Sequence, residues 1–409
     1  MMPNTVVLVG ALDTKGSEFA FVKELIEAQG LNTLVVDFGV LGAPAFPGDI
    51  DRETVARVGG GELGQFQLGE RKDEAMKIMA AGLTATVRQL YDEGRLHGIL
   101  GMGGTGGTSI ATTAMRSLPI GVPKVMVSTV GGGDVGAYTG GKDITFIPSI
   151  VDVAGLNRIS RPIFANAAGA IAGMVQVEAP AASDGKPLIA ASMFGNTTAA
   201  VDRARMRLEG QGYEVLVFHA TGTGGKTMES LIADGYIAGS LDMTTTELAD
   251  YVCNGVFSAG PERCLAASRA GIPAVLVPGC VDMANFGAVE TVPAIYRDRT
   301  LYQWNPNVTL LRTNIEENTR IGEMIAAAAN AATAPVAIIL PLKGVSMLDS
   351  EGGRFWDPAA DHACYRAIKQ QVKPNVSVIE LDLNINDPQF ADTVADTLLT
   401  LIKERKGKL

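Results

Sequence analysis

A series of short runs, rich in β-branched residues and mostly apolar at every position, limits the possible folds of this chain more than any other feature. They are TVVLVG (Thr5–Gly10), TLVVD (Thr33–Asp37), GILG (Gly98–Gly101), KVMVS (Lys124–Ser128) and ITFI (Ile144–Ile147). Later come LIAAS (Leu188–Ser192), EVLVF (Glu214–Phe218), AVLVP (Ala274–Pro278), VAIIL (Val336–Leu340) and VSVIEL (Val376–Leu381). A strand with one wet face alternates apolar and polar residues. Runs without alternation belong to strands covered on both faces, as in a parallel sheet under helices. Stretches of helical pattern with a polar face, such as Ser17–Gln29 and Thr198–Gln211, lie between them. The alternation predicts an α/β architecture of Rossmann-like or flavodoxin-like parallel-sheet domains.

The length, 409 residues with 47% hydrophobic and 19% charged, is enough for more than one core. EAPAASDGKP (Glu178–Pro187) reads as a linker, dividing residues 1–182 from 186–409. The two sides resemble each other. The stretch beginning at Val6 and the one beginning at Leu188 both read strand, small-residue turn, helix, QG, strand. Their QG glycines, Gly30 and Gly212, stand at the same offset. GVPKVMVSTVGGGD (Gly121–Asp134) likewise resembles GIPAVLVPGCVD (Gly271–Asp282) at a smaller offset, so the first half carries extra residues, assigned to Gly39–Glu62. An internal duplication is the expectation.

A formal charge of −10 without a basic run argues against nucleic-acid binding. Cys253, Cys264, Cys280 and Cys364 form no C-x-x-C, so reduced thiols and a cytoplasmic setting are expected. The N-terminus reads as a first strand and not as a signal peptide. The uncharged stretch Met324–Leu342 is interrupted by Asn330, Pro335 and Pro341, so no membrane span is expected.

In open parallel sheets, ligands sit beyond the carboxyl ends of the strands. Three loops of the first half fall there: GALDTKGSE (Gly10–Glu18), GMGGTGGTS (Gly101–Ser109) and STVGGGD (Ser128–Asp134). Glycines let backbone N–H groups approach an anion, and a helix N-terminus adds unpaired donors and partial positive charge. Thr105, Thr108 and Ser109 offer hydroxyls, Lys15 a full charge, and Asp13 a ligand for a metal or a ribose hydroxyl. Together they suit a nucleoside polyphosphate, although glycine-rich turns also serve simply to pack a helix close to a sheet. Asp13 or Ser17 can equally be an N-cap. Gly101, Gly103 and Gly106 meet G-x-G-x-x-G, but after the third strand and without the acidic partner of a nicotinamide site.

In the second half, Ala220, Gly225, Lys226 and Thr227 match a relaxed phosphate-loop pattern with Ala in the first glycine position. A simpler anion site on Gly222, Gly224 and Gly225 is the alternative. SLDMTTTEL (Ser240–Leu248) either lines a cleft with Asp242 and Glu247 or caps a helix with its threonines. Thr313 and Glu316 read as a capping box. The loop Pro341–His362 holds Lys343, and the carboxylates Asp349, Glu351, Asp357 and Asp361, which could bind Mg²⁺ or form a solvated turn, and Trp356, which could cover a substrate.

GALDTKGSE, GMGGTGGTS, FHATGTGGKTMESL, DMTTTEL and PLKGVSMLDSEGGRFWDP together resemble the Tm-1-like ATP-binding domain family, over nearly the whole chain. The resemblance implies two α/β subdomains, ATP in the N-terminal one, and a homodimer. In a plant resistance protein of that family a barrel domain follows; this chain stops at Leu409, so no antiviral role is expected of it. Carried over by motif, the nucleotide site would use Asp13, Thr14, Lys15, Gly103, Gly104, Thr105, Gly106, Gly107, Thr108, Ser109, Ser128, Gly131, Gly132 and Gly133. The family supplies no catalytic residues. His219, Glu229 and Lys343 are candidates from residue chemistry alone.

The functional expectation is an ATP-binding protein, with Mg²⁺ as an optional companion ion. It either acts as an ATP-dependent enzyme on a small molecule in a cleft between the domains or regulates a partner without catalysis. An ATP-independent hydrolase or lyase of a small carboxylate is the alternative.

Overall fold

The computed structural model describes residues 3–65, 72–177 and 185–407, so most of the linker Glu178–Pro187 lies outside the described residues. The chain divides into two compact units, Met1–Ala181 and Ala182–Leu409.

The first unit holds strands β1 (Thr5–Gly10), β2 (Asn32–Asp37), β3 (Gly98–Gly103), β4 (Lys124–Ser128) and β5 (Thr145–Pro148). Its helices are α1 (Leu12–Glu27), α2 (Arg52–Val58), α3 (Lys72–Asp92), α4 (Thr105–Arg116), α5 (Gly136–Thr139) and α6 (Ser160–Gln176). The strands form one parallel sheet in the order β2-β1-β3-β4-β5. The uniformly apolar runs are explained by two cores, one on each face. Val7, Val9, Ile99 and Met126 meet Met79, Leu83 and Val87 of α3 and Ala111 and Met115 of α4. Val6, Leu8, Leu100 and Val127 meet Phe19, Val22 and Ile26 of α1 and Phe164, Ala168 and Ile171 of α6. Successive strand residues point to opposite faces, so every position faces a helix. Burying each such side chain contributes about 1.5–3 kcal/mol.

The second unit runs β6 (Leu188–Met193), α7 (Thr198–Glu209), β7 (Glu214–His219), α8 (Thr223–Ala233), β8 (Ile237–Asp242), α9 (Thr246–Cys253), α10 (Ala266–Ala270) and β9 (Ala274–Leu276). It continues with β10 (Met283–Phe286), β11 (Leu301–Asn305), β12 (Val308–Arg312), α11 (Ile315–Asn330), β13 (Val336–Pro341), α12 (Pro358–Gln371), β14 (Ser377–Leu381) and α13 (Pro388–Lys406). Its parallel sheet, β7-β6-β8-β9-β13-β14, has the order of the first unit with one strand added. In both, the first strand stands inside the second, and the order reverses between the first and the third. This is the flavodoxin-like order, and its repetition is what a duplication leaves behind. β4 and β9, matched by their sequences, occupy the same place in the two sheets. The extra residues of the first half include α2, and its preceding Ile50 bridges to Val36 of β2.

Two features differ from the sequence expectation. β8 (IAGSLD) is a central strand despite Gly239 and Ser240, and β10, β12 and β11 form a separate antiparallel sheet. Among the described residues no helix is long and apolar enough to cross a membrane. All four cysteines are buried and free.

Candidate functional site

At the carboxyl edge of the first sheet, α1 starts immediately after β1, earlier than its pattern suggests, and no side chain caps it. Gly10 permits this, because a Cβ there would stand 2.0 Å from the Phe19 ring. Asp13 accepts N–H bonds from Leu41 (2.7 Å) and Gly42 (3.1 Å) through Oδ2, while its buried Oδ1 has no partner. Lys15 donates from Nζ to the carbonyl of Val153. Thr14 is exposed, with its hydroxyl directed to the Ala11 carbonyl. Asp13 and Lys15 therefore hold the loops after β2 and β5.

The loop after β3 is arranged differently. Gly104 is the N-cap of α4, extended at φ −77° and ψ −169°, and no side chain caps the helix. The first N–H groups of a helix have no partner within it, so this end presents bare donors and the positive end of the helix dipole. Thr105 and Ser109 are exposed on the first turn, Gly106 and Gly107 half-buried, and Gly103 buried beneath them. Thr108 and Ser128 lie underneath, fully buried, with their hydroxyls 2.7 Å apart. Ser128 Oγ also accepts from Val130 N–H, and Thr129 N–H donates to Gly103, so the loops after β3 and β4 are strapped together. Gly131 is half-buried under Pro148, and Gly132 and Gly133 are exposed.

Above them lies a pocket of about 610 Å³, within the size range of small-molecule sites. Its walls include Gly104, Thr105, Thr129, Gly132, Ile150 and Asp152. The segment after β5 was missed in the sequence, although the rule that drew attention to the other strand ends applies to ITFI as well. Ile150 is 75% exposed at φ 64°. A β-branched residue in the left-handed region is strained by roughly 1–3 kcal/mol, and such strain clusters at functional sites. Its neighbours hold it there: Ser149 N–H donates to Ser128, Lys15 holds Val153, and Gly155 N–H donates to the buried carboxylate of Glu18.

The glycine-rich loop after β7 is closed to a phosphate. Gly222 and Gly225 donate their N–H groups to Glu247 Oε1 at 2.7 and 3.0 Å. Glu247 is wholly buried and also binds Arg263 Nε at 2.6 Å. A carboxylate of the chain itself thus occupies the cradle, and Lys226 is exposed. The phosphate-loop and second-anion-site readings are corrected accordingly. Arg263 also meets Asp242 (2.5 Å) and Glu229 (2.9 Å). Burial opposes its charge, but Asp242, Glu247 and Glu229 outweigh that and keep it charged. Glu229 further accepts N–H bonds from Cys264 and Ala266, both 2.7 Å. Burial pushes its carboxyl above the ordinary range, with Arg263 opposing.

The loop after β13 is built around a second buried arginine. Arg312 pairs with Asp361 at 2.7 Å and Asp349 at 3.6 Å, and Asp282 accepts from Ser346 Oγ at 2.8 Å. Burial, then the neighbouring Asp349, pushes Asp361 up to about 9 and Asp282 to about 7. Asp357 caps α12, and Phe355 is in the core. The Mg²⁺ reading of this loop finds no support: among the described residues no cluster of three or more His, Cys, Asp and Glu could hold a metal. The capping box of α11 is Asn314 with Glu317, one residue beyond Thr313 and Glu316, because Thr313 donates its hydroxyl to Val281.

His219, Glu229 and Lys343 stand among different neighbours. His219 is exposed at the end of β7, edge-on to Phe194. Lys343 is exposed and paired with Asp382 at 2.9 Å, beside a pocket of about 570 Å³ that also touches Trp356 and His362.

Fold and loops define a tandem pair of flavodoxin-like α/β domains with an open helix N-terminus in the first. The chain belongs to the uncharacterised protein family UPF0261, whose N-terminal domain matches residues 4–180 and C-terminal domain residues 186–402. It is 48% identical to a UPF0261 protein of Clostridium tetani, over 98% of this chain and 100% of that protein. It is 45% identical to one from Rhizobium meliloti, over 95% of this chain and 96% of the relative. It is also similar to the ToMV resistance protein Tm-1(GCR237) of Solanum lycopersicum, at 41% identity over 83% of this chain and 46% of that protein.

Proposed function

We propose that the first unit binds a nucleotide, ATP foremost, with its phosphates against the N-terminus of α4. One observation carries this reading: the uncapped first turn at Gly104 and Thr105 opens onto the pocket of about 610 Å³. Phosphate oxygens there would accept the free N–H groups, and each negative charge at a helix N-terminus gains roughly 0.3–2 kcal/mol. Thr105 and Thr129 add hydroxyl donors. Asp152 is the carboxylate in the wall that would meet a nucleotide-borne Mg²⁺. Lys15 and Asp13 serve by fixing the loops and not by touching the ligand.

Titration calorimetry of the full chain with ATP, ADP and adenosine tests this, with and without Mg²⁺. ATP and ADP should bind, with adenosine at least tenfold weaker; absence of ATP binding overturns the reading. Phosphate release in the same samples separates an ATP-dependent enzyme from a regulatory module. The proposal includes a cytoplasmic setting, favoured by four free, buried thiols. It also includes a homodimer, to be tested by light scattering.

A further inference from the structure

The pocket over the N-terminus of α4 has two chemically different sides. Gly104, Thr105, Thr129 and Gly132, from the loops after β3 and β4, bring amides and hydroxyls. Pro148, Ile150 and Val151, from the end of β5 and the segment after it, bring hydrocarbon. Ile150 has the largest side chain of these three and is 75% exposed. A ligand that matches both sides carries hydrogen-bond acceptors at one end and an apolar face at the other.

Single exposed apolar side chains are common and need no explanation. The backbone of Ile150 sets it apart. Val151 N–H donates to the Ser149 carbonyl at 2.7 Å, so Ile150 is the central residue of a three-residue turn. With φ at 64°, the turn is of the rare, strained kind. Ser149, 1% exposed, locks it by donating its hydroxyl to the Val151 carbonyl at 2.6 Å. Gly or Asn adopts a positive φ with less strain. Ile recovers little by burying its own side chain here, because that side chain stands mostly in solvent. Strain of this kind concentrates at ligand sites.

We infer that Ile150 is a specificity-determining residue of this pocket: it covers the nucleoside part of the ligand while the amides at the start of α4 hold the phosphates. The inference rests on the nucleotide reading above and adds to it which side of the pocket takes the base and sugar. The locked turn presents the side chain before the ligand arrives, so no loop has to be ordered on binding. Removing the exposed Ile side chain from water is worth about tenfold or more in affinity. An inorganic polyphosphate reaches the same amides and gains nothing from Ile150.

The test is calorimetry of the full chain with ATP and with tripolyphosphate in the same buffer, alongside the melting temperature. The unaltered chain should bind ATP at least tenfold tighter than tripolyphosphate. Ile150→Asn should bring ATP down to the affinity of tripolyphosphate and leave tripolyphosphate within threefold. With the strain released it should also melt about 2 °C or more higher. Ile150→Val keeps a branched apolar side chain and the strain, so it should keep the ATP preference within threefold and gain no stability. The inference is overturned by an Ile150→Asn chain that retains the ATP preference or melts lower than the unaltered chain. Equal binding of the two ligands by the unaltered chain overturns it as well, and leaves the phosphate placement standing. So does a loss of mass by light scattering in Ile150→Asn with the ATP preference intact, which would make Ile150 a contact between chains. Binding of neither ligand refutes the nucleotide reading itself, and the inference with it.

Discussion

Gly104→Asp separates the stability of the first unit from its proposed nucleotide binding. Gly104 already has the extended backbone of an N-cap, with no side chain supplying the cap. A Cβ there meets nothing nearer than Thr129 Oγ1 at 3.8 Å. An Asp at this position can accept from the second or third N–H of α4. Replacing a Gly cap with Asp gains a few tenths of a kcal/mol, and the helix dipole adds roughly 0.3–1 kcal/mol. The variant should therefore melt at the same temperature or slightly higher. For the ligand the sign is reversed. The new carboxylate takes the N–H groups proposed for phosphate, and two like charges about 4 Å apart repel by ~4 kcal/mol at an effective dielectric of ~20. Allowing for half of that through relaxation and salt, ATP affinity should fall about 25-fold, since 1.4 kcal/mol is about tenfold. Calorimetry gives the affinity and differential scanning fluorimetry the melting temperature. A folded Gly104→Asp chain that holds ATP within threefold of the unaltered protein would falsify the phosphate placement.

Two further outcomes follow from buried charge. Gly225→Ala puts a Cβ 2.2 Å from Glu247 Oε2, inside the closed Arg263 network; disrupting such a buried pair costs roughly 3–5 kcal/mol, and a urea midpoint unchanged within error would refute the packing described. Asp250 is pushed from 3.8 up to about 7 by burial, against hydrogen bonds from Asn285 and Phe257 that lower it. A folded-state value above the unfolded one means its contribution is complete below pH ~4 and is lost as pH rises through 7. Stability from this group should fall by about 1.4 kcal/mol per pH unit over that window. In Asp250→Asn the dependence disappears, so the stability difference between the two chains should slope between pH 4.5 and 6.5; a flat difference refutes the raised value.

Much of the fold was legible because parallel strands buried on both faces must be apolar throughout. Val6–Val9 and Ile338–Leu340 have no solvent side and no alternation to mislead. β8 escaped because Gly239 and Ser240 break the apolar run; helix α13 packs so closely there that a Cβ on Gly239 would stand 2.9 Å from Ile402. The β11–β12 hairpin escaped for the opposite reason, since β11 is half-buried to exposed and so carries no burial signature. In the candidate site, strand-end glycines revealed where bare amides gather. They could not reveal which amides were already satisfied, because the satisfying group comes from elsewhere in the chain. Glu247 reaches the Gly222–Gly225 turn from the next strand-to-helix connection, and nothing local in FHATGTGG signals it.

That distinction separates the glycine-rich turns of two domains that share one strand order. A glycine-rich turn leading into a helix creates a hole for negative charge wherever it occurs. In the second unit the chain fills one such hole with Glu247, balances it with Arg263, and draws in Asp242 and Glu229. Arg263, Asp242 and Glu247 are buried, with Glu229 partly exposed at the edge, so the network serves mainly to stabilise a conformation. In the first unit, Asp13 and Lys15 are tied to neighbouring loops, and no side chain caps the N-terminus of α4. The exposed, strained Ile150 stands opposite that end. A helix end lacking only a cap could have acquired one through a single Gly104→Asp change at no cost in stability. That end, beside the pocket of about 610 Å³, is where the proposed nucleotide would set its phosphates.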